Sequence, residues 1–185
     1  MIYLNKLMNN KDKNKNNKKK IVGYTAGVFD LFHIGHVNIL RNAKSMCDYL
    51  IVGVSTDELV AYKHKKAIIP YEQRVEVVSA CKYVDTVVAQ EDMDKLKMWK
   101  KLKFNIMFVG DDWFKTEKWN EIEKKLKKEG VETVYFPYTK NVSSTLINEI
   151  LEERRKTIII IKKKNLKNKE KNSEFIFNKG YKNIY

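Results

Sequence analysis

Short apolar runs alternate with helix-patterned segments from Ile21 to about Arg155, and this alternation restricts the fold more than any other feature. The run Tyr49-Leu50-Ile51-Val52-Gly53-Val54-Ser55 has strand length and no polar face. Such a strand is buried on both sides, as in parallel sheets covered by helices. Parallel neighbours need long crossovers, which helices supply. Strands are predicted at 21–25, 49–55, 85–89, 105–109 and 131–137. Helices are predicted at 36–46, 71–81, 94–103, 119–129 and from a Ser143 cap through Leu151. Val37, Ile39, Leu40, Ala43 and Met46 mark the inner face of the first helix, and Val75, Val78 and Cys81 that of the second. Gly130 ends the fourth helix, and a Ser at the N-cap satisfies orphan N–H groups of the last. The expected fold class is α/β, a five-stranded parallel sheet with helices on both faces.

The chain has 185 residues and a formal net charge of +14, which invites a nucleic-acid reading. The excess is confined to the ends. Residues 1–20 carry seven Lys and one Asp, and residues 156–185 carry nine Lys and two Glu. Residues 21–155 hold 21 Lys and Arg against 20 Asp and Glu. The expected organisation is therefore a Lys/Asn-rich extension at 1–20, a folded domain at 21–155 and a flexible Lys-rich tail at 156–185. Basic tails can touch nucleic acid or anionic lipid nonspecifically, and the expectation here is of solvated extensions with no specific nucleic-acid partner. Cys47 and Cys81 have no framework or C-x-x-C spacing, which points to reduced thiols and a cytoplasmic setting. No apolar run reaches the ~20 residues that span a bilayer, so no membrane span is expected.

Ligands of open α/β sheets bind at the carboxyl ends of the strands. That rule gathers four loops: the turn after the first strand, Lys63–Lys66, Gly110–Trp113 and Tyr138–Thr145. The first holds His33-Ile34-Gly35-His36. Two imidazoles at a helix start can join the unpaired N–H groups of that helix around a polyphosphate. Gly35 lets a ligand approach the backbone. A zinc site would need more ligands than His64 and two distant Cys supply, so no metal ligand is predicted.

Gly27-Val28-Phe29-Asp30-Leu31-Phe32-His33-Ile34-Gly35-His36 resembles the signature of the cytidylyltransferase family of nucleotidyltransferases. The likeness continues through Ser55-Thr56-Asp57-Glu58, Lys63–Lys66, Tyr71-Glu72-Gln73-Arg74, Tyr83-Val84-Asp85, Gly110-Asp111-Asp112-Trp113 and Ser143-Ser144-Thr145. It covers residues 20–152 in one register and is strongest toward bacterial glycerol-3-phosphate cytidylyltransferases. The resemblance implies a Rossmann-like fold, a homodimer, and transfer of CMP from CTP to a phosphorylated alcohol such as glycerol 3-phosphate, with release of pyrophosphate. It implies catalytic roles for His33, His36, Lys63 and Arg74. The nucleotide would be held by His33 and His36 with Val28, Phe29, Gly35, Lys65, Asp112, Thr139, Ser143 and Ser144. The acceptor would be held by Lys63 and Lys95. Mg2+ would be carried by the nucleoside triphosphate rather than by a protein cage.

Structural roles compete with several of these. Asp30 can hydrogen-bond its own turn, and Arg74 can form a surface pair with Glu72 or Asp85. Asp111 can shape its loop, His64 and Lys66 can be solvated, and Trp99, Trp113 and Trp119 can be packing residues. One departure concerns specificity. The family's last motif opens Arg-Thr-Glu-Gly, whereas this chain reads Tyr138-Thr139-Lys140-Asn141. A guanidinium is missing at Tyr138, and a Lys140 point charge does not reproduce its bidentate fork. The alternatives are a sister transferase using ATP or another acceptor (a sugar phosphate, phosphocholine or phosphoethanolamine), or a non-catalytic nucleotide-binding module.

Overall fold

The computed structural model describes residues 19–62, 66–111, 114 and 116–180, and for residues 118 and 164–180 the description is of the backbone. Five strands form one sheet: β1 (Val22–Gly27), β2 (Tyr49–Ser55), β3 (Thr86–Gln90), β4 (Ile106–Gly110) and β5 (Glu132–Phe136). Six helices connect or follow them: α1 (Ile34–Ser45), α2 (Asp57–Tyr62), α3 (Tyr71–Ser79), α4 (Lys95–Leu102), α5 (Glu117–Lys128) and α6 (Ser144–Gly180). The strand order is β3-β2-β1-β4-β5, and every pairing is parallel. This is the expected Rossmann-like fold.

The strand pattern explains the two layers. Leu50, Val52 and Val54 of β2 join Ile106 and Phe108 of β4 in a cluster with Leu40 and Ala43 of α1 and Val78 of α3. The residues between them face the other way. Ile51, Met107 and Val109 pack with Tyr24, Leu102 of α4, and Trp119 and Leu126 of α5. Each face of the sheet is thus closed by its own pair of helices, and Trp119 is a core residue. Gly130, at φ 79°, follows α5 where only a glycine adopts the left-handed turn without strain.

The chain order places a switch point between β1 and β4. The connection after β1 runs toward β2, while β4 is reached from β3 by crossing to the other side of β1. The loops after β1 and β4 therefore separate and leave a cleft at the carboxyl edge. Two boundaries differ from expectation. Helix α1 begins at Ile34, because His33 itself is the cap. Helix α6 does not stop at Leu151 but runs to Gly180. No Gly or Pro interrupts the stretch before that residue, and its Lys, Glu, Leu and Arg favour helix.

Candidate active site

The turn after β1 is built on two left-handed residues that are not glycine: Phe29 at φ 56° and Leu31 at φ 46°. Such conformations cost of order 1–3 kcal/mol each and persist only when their surroundings enforce them. Phe29 is enforced by burial: 4% of it is exposed, and its ring lies against His36 with centroids 5.2 Å apart. Asp30 supplies the polar anchor. Its carboxylate accepts from the backbone N–H of Leu31 at 3.0 Å, Ile68 at 2.8 Å and Ile69 at 2.9 Å. Its carbonyl accepts from Ser144 Oγ at 2.6 Å. Asp30 thus joins the first turn, the segment before α3 and the start of α6, which is more than shaping its own turn.

His33 and His36 cap α1 reciprocally. His33 Nδ1 accepts from the Gly35 N–H at 3.0 Å, and His36 Nδ1 accepts from the His33 N–H at 3.3 Å. The rings stack with centroids 3.9 Å apart. An Nδ1 that accepts a hydrogen bond holds no proton, so each neutral ring carries its proton on Nε2. Both imidazoles are therefore preset as donors. Burial is the first cause that lowers the His36 pKa, to about 3, helped by neighbouring His33 and opposed by Asp30. Burial lowers that of His33 as well. The pair is a neutral donor set at physiological pH, not two resting cations. Gly35 is required because a Cβ there would stand 2.8 Å from His33 Cε1 and 2.9 Å from its Nδ1.

The last motif docks onto the same place. Asn38 Nδ2 of α1 donates to Thr139 Oγ1 at 3.2 Å. Ser143 caps α6, its Oγ accepting from the Leu146 N–H at 3.0 Å. With Ser144 tied to Asp30, the N-termini of α1 and α6 converge on the first turn. Each end carries a partial positive charge, and side chains already cap the N–H groups of Gly35 and Leu146. The structure therefore gathers Val28, Phe29, His33, Gly35, His36, Thr139, Ser143 and Ser144. Tyr138 is exposed beside them. Lys63, Lys65 and Asp112 lie outside the described residues, as do His64 and Trp113.

Arg74 departs from expectation. Its nitrogens are turned into the protein, and it does not pair on the surface with Glu72 or Asp85. It is buried, with 1% exposed, and every guanidinium nitrogen is engaged. Nε donates to Ile69 O at 2.9 Å, and Nη1 to Val28 O at 2.5 Å and Ser55 O at 2.8 Å. Nη2 pairs with Asp57 Oδ1 at 2.6 Å. Five N–H donors in a planar fork suit that task. Arg74 is a positioning residue that ties the β1 turn to the ends of β2 and of the segment before α3. Lys95 is buried at the first turn of α4, on the β3 side of the sheet.

The Cytidylyltransferase-like family matches residues 24–150, which include every site residue named above. The chain belongs to that family. A glycerol-3-phosphate cytidylyltransferase of Bacillus subtilis is 39% identical over 133 residues, spanning 71% of this chain and 95% of the relative. An FAD synthase of Pyrococcus horikoshii is 37% identical over 72% of this chain and 92% of its own length. Among solved structures, a lipopolysaccharide core biosynthesis protein of Thermoplasma volcanium shares the fold, with a TM-score of 0.57 and 28% identity over 66% of this chain and 99% of that one. This cytidylyltransferase-like chain is a nucleotidyltransferase. Asp30 as a hub, Asp57 as the Arg74 partner and Asn38 as the Thr139 partner escape sequence reasoning, because each acts on a residue far along the chain. Among the described residues no cluster of His, Cys, Asp or Glu could hold a metal ion. No described helix is long and apolar enough to cross a membrane.

Proposed function

We propose that the chain transfers CMP from CTP to a phosphorylated small alcohol, with glycerol 3-phosphate as the acceptor, and releases pyrophosphate. The observation that carries this reading is the reciprocal imidazole cap, which presets two Nε2–H donors at the cleft between β1 and β4. A phosphomonoester has its second pKa near ~6 and is largely dianionic at neutral pH. One of its oxygens attacks the α-phosphorus in line. The bond from that phosphorus to the bridging oxygen breaks, and pyrophosphate leaves with the electron pair. No strong base is needed, so catalysis rests on positioning and on stabilising the leaving charge. His33 and His36 donate to the triphosphate, and the positive N-terminal ends of α1 and α6 extend the cradle. Lys63 and Lys65 bring cations to the acceptor and the triphosphate. Mg2+ arrives with the triphosphate and neutralises part of its charge. A homodimer in the cytoplasm completes the reading.

A second reading, an ATP-dependent transferase that forms FAD, is favoured by Tyr138 standing where the cytidylyltransferase motif has Arg. The likeness to an FAD synthase supports it too. A pyrophosphate-release matrix separates the two. CTP, ATP, UTP and GTP are each paired with glycerol 3-phosphate, phosphocholine, phosphoethanolamine, a sugar phosphate and FMN. Release with CTP and glycerol 3-phosphate is the expected result. Release only with ATP removes the cytidylyl reading, and release with no pair favours a binding module.

A further inference from the structure

Helix α6 leaves the domain without cover. Every residue from Asn148 to Lys163 is exposed, although six of them are large and apolar. Leu151 is 48% exposed, and Ile158 to Ile161 are 44–54% exposed. A shallow groove is lined by Leu151, Arg154, Arg155, Ile158, Ile159 and Lys162. All six belong to α6, so the groove has no second wall. Single apolar side chains at a surface are ordinary, whereas a contiguous exposed patch marks an interaction surface.

The apolar residues follow the helix period. Ile158 lies seven residues after Leu151 and three before Ile161, and Ile161 lies eleven after Ile150. These spacings put the four on one face. Ile160 lies nine residues after Leu151, which places it on the opposite side. The first turn of α6 is anchored, because Ser144 Oγ donates to Asp30 O at 2.6 Å. The stripe starts beyond that anchor. Its charged neighbours are segregated. Glu149, Glu152 and Glu153 come first, then Arg154-Arg155-Lys156, and Lys162-Lys163-Lys164 follow the isoleucines.

That order of charges selects what covers the stripe. A second copy laid isoleucine on isoleucine sets bases against bases, whether parallel or antiparallel, and like charges so placed repel. An offset antiparallel pairing could bring Glu152 and Glu153 to Lys163 and Lys162. It would then lay Ile158–Ile161 on Thr157, Lys156, Arg155 and Arg154. A nucleic acid takes the bases through its phosphates but leaves the isoleucines in water. An anionic lipid surface takes both, with Lys and Arg at the headgroups and the apolar face in the acyl boundary. Arg154, inside the stripe, has a stem long enough to carry its guanidinium to the headgroups. We propose that α6 docks on an anionic lipid surface through Leu151, Ile158 and Ile161. Four isoleucines are far fewer than the ~20 apolar residues that span a bilayer, so the helix lies in the interface plane. Docking there does not depend on which nucleotide or acceptor the enzyme uses.

The test is co-sedimentation of the full chain with two kinds of vesicle, phosphatidylcholine alone and phosphatidylcholine with phosphatidylglycerol in equal parts. Binding should be about 100-fold tighter to the anionic vesicles at about 0.1 M salt, and should weaken as salt rises. Ile158→Ser combined with Ile161→Ser should weaken it about tenfold or more, whereas Ile160→Ser on the opposite side should change it less than about threefold. Lys162→Gln combined with Lys163→Gln should weaken it about 30-fold. These side chains are exposed and Ser matches Ile in helix propensity, so folding is kept. No sedimentation with anionic vesicles overturns the proposal. So does binding that the double isoleucine variant retains, because charge attraction by the basic tail alone would give that result. Ultracentrifugation without lipid tests the second copy: an oligomer that the same variant loses assigns the stripe to self-association and overturns lipid docking. Binding of polyuridylic acid that this variant weakens as much as vesicle binding overturns it in favour of nucleic acid.

Discussion

Replacing His36 with Asn should remove about 2 kcal/mol of acid sensitivity from the fold. The magnitude follows from the capped, buried ring. Burial holds the folded-state pKa of His36 near about 3, against 6.5 for the free side chain. Between those values the unfolded chain binds a proton that the folded chain refuses. Stability therefore falls as pH drops below 6.5 and continues to fall until the folded ring titrates. Integrated from pH 7 to pH 5, the single group removes about 2 kcal/mol. For a chain of this size that is about 6 °C in Tm. Asn is the informative substitute, because its Oδ1 can accept the His33 N–H as His36 Nδ1 does at 3.3 Å. The assay is thermal or urea unfolding of both proteins at pH 7 and pH 5. Groups that do not touch His36 contribute alike to each and cancel in the difference, which then reports the stacked His33–His36 pair. Equal losses in the two proteins would show that His36 titrates normally in the fold, and the neutral-donor picture of the site would fail with it.

His36→Ala should lower turnover about 100-fold with the fold intact, as expected for losing one donor to developing charge; near-normal turnover in the pyrophosphate assay contradicts the role. Gly35→Ala forces its Cβ against the His33 ring at 2.8 Å, so the cap opens, and kcat should fall about 100-fold while stability drops by about 1 kcal/mol. Arg74→Lys keeps the charge but cannot reach three carbonyls and Asp57 together; it should cost about 2 kcal/mol in urea unfolding and raise the KM of both substrates. Asp30→Asn turns part of a carboxylate that accepts three N–H groups into a donor, and should cost about 2 kcal/mol while lowering kcat.

The sheet and its helices were legible because burial on both faces leaves a mark in every strand. Leu50 to Val54 read as a two-sided strand and form one. The imidazole motif, Gly35 and the Ser143 cap were legible because each acts within a few residues of itself. What stayed hidden was non-local or unusual in chemistry. The start of α1 was misplaced because sequence patterns look for Ser, Thr, Asp or Asn as caps, whereas here an imidazole lone pair does the capping. Arg74 opens a helix among polar neighbours and reads as exposed. Its burial follows from carbonyls at Val28, Ser55 and Ile69, which have no side-chain signature. The fit of the Tyr24 hydroxyl against Gly53, where any Cβ would collide with it, is of the same kind, visible only when strands β1 and β2 lie side by side.

The motif from Gly27 to His36 joins folding to chemistry more tightly than its residue types suggest. The same Nδ1 atoms that end the β1 turn and start α1 also fix which nitrogen of each ring faces outward. A ring freed from its capping bond would lose helix stability and the correct tautomer at once. Neutrality follows from the same packing. Two stacked, buried imidazoles repel a second proton, so the resting site holds donors without fixed charge. The only nitrogen of each ring left to protonate is Nδ1, which already accepts a capping N–H, so charging a ring would break the cap. A polyanion favours the protonated ring, and the cap opposes it. The cations that attract a nucleoside triphosphate must then come from elsewhere on the carboxyl edge. Triphosphate binding should therefore take up no proton, measured as a heat that does not depend on the buffer in calorimetry, and a buffer-dependent heat would mean that the cap opens and the pair does not stay neutral.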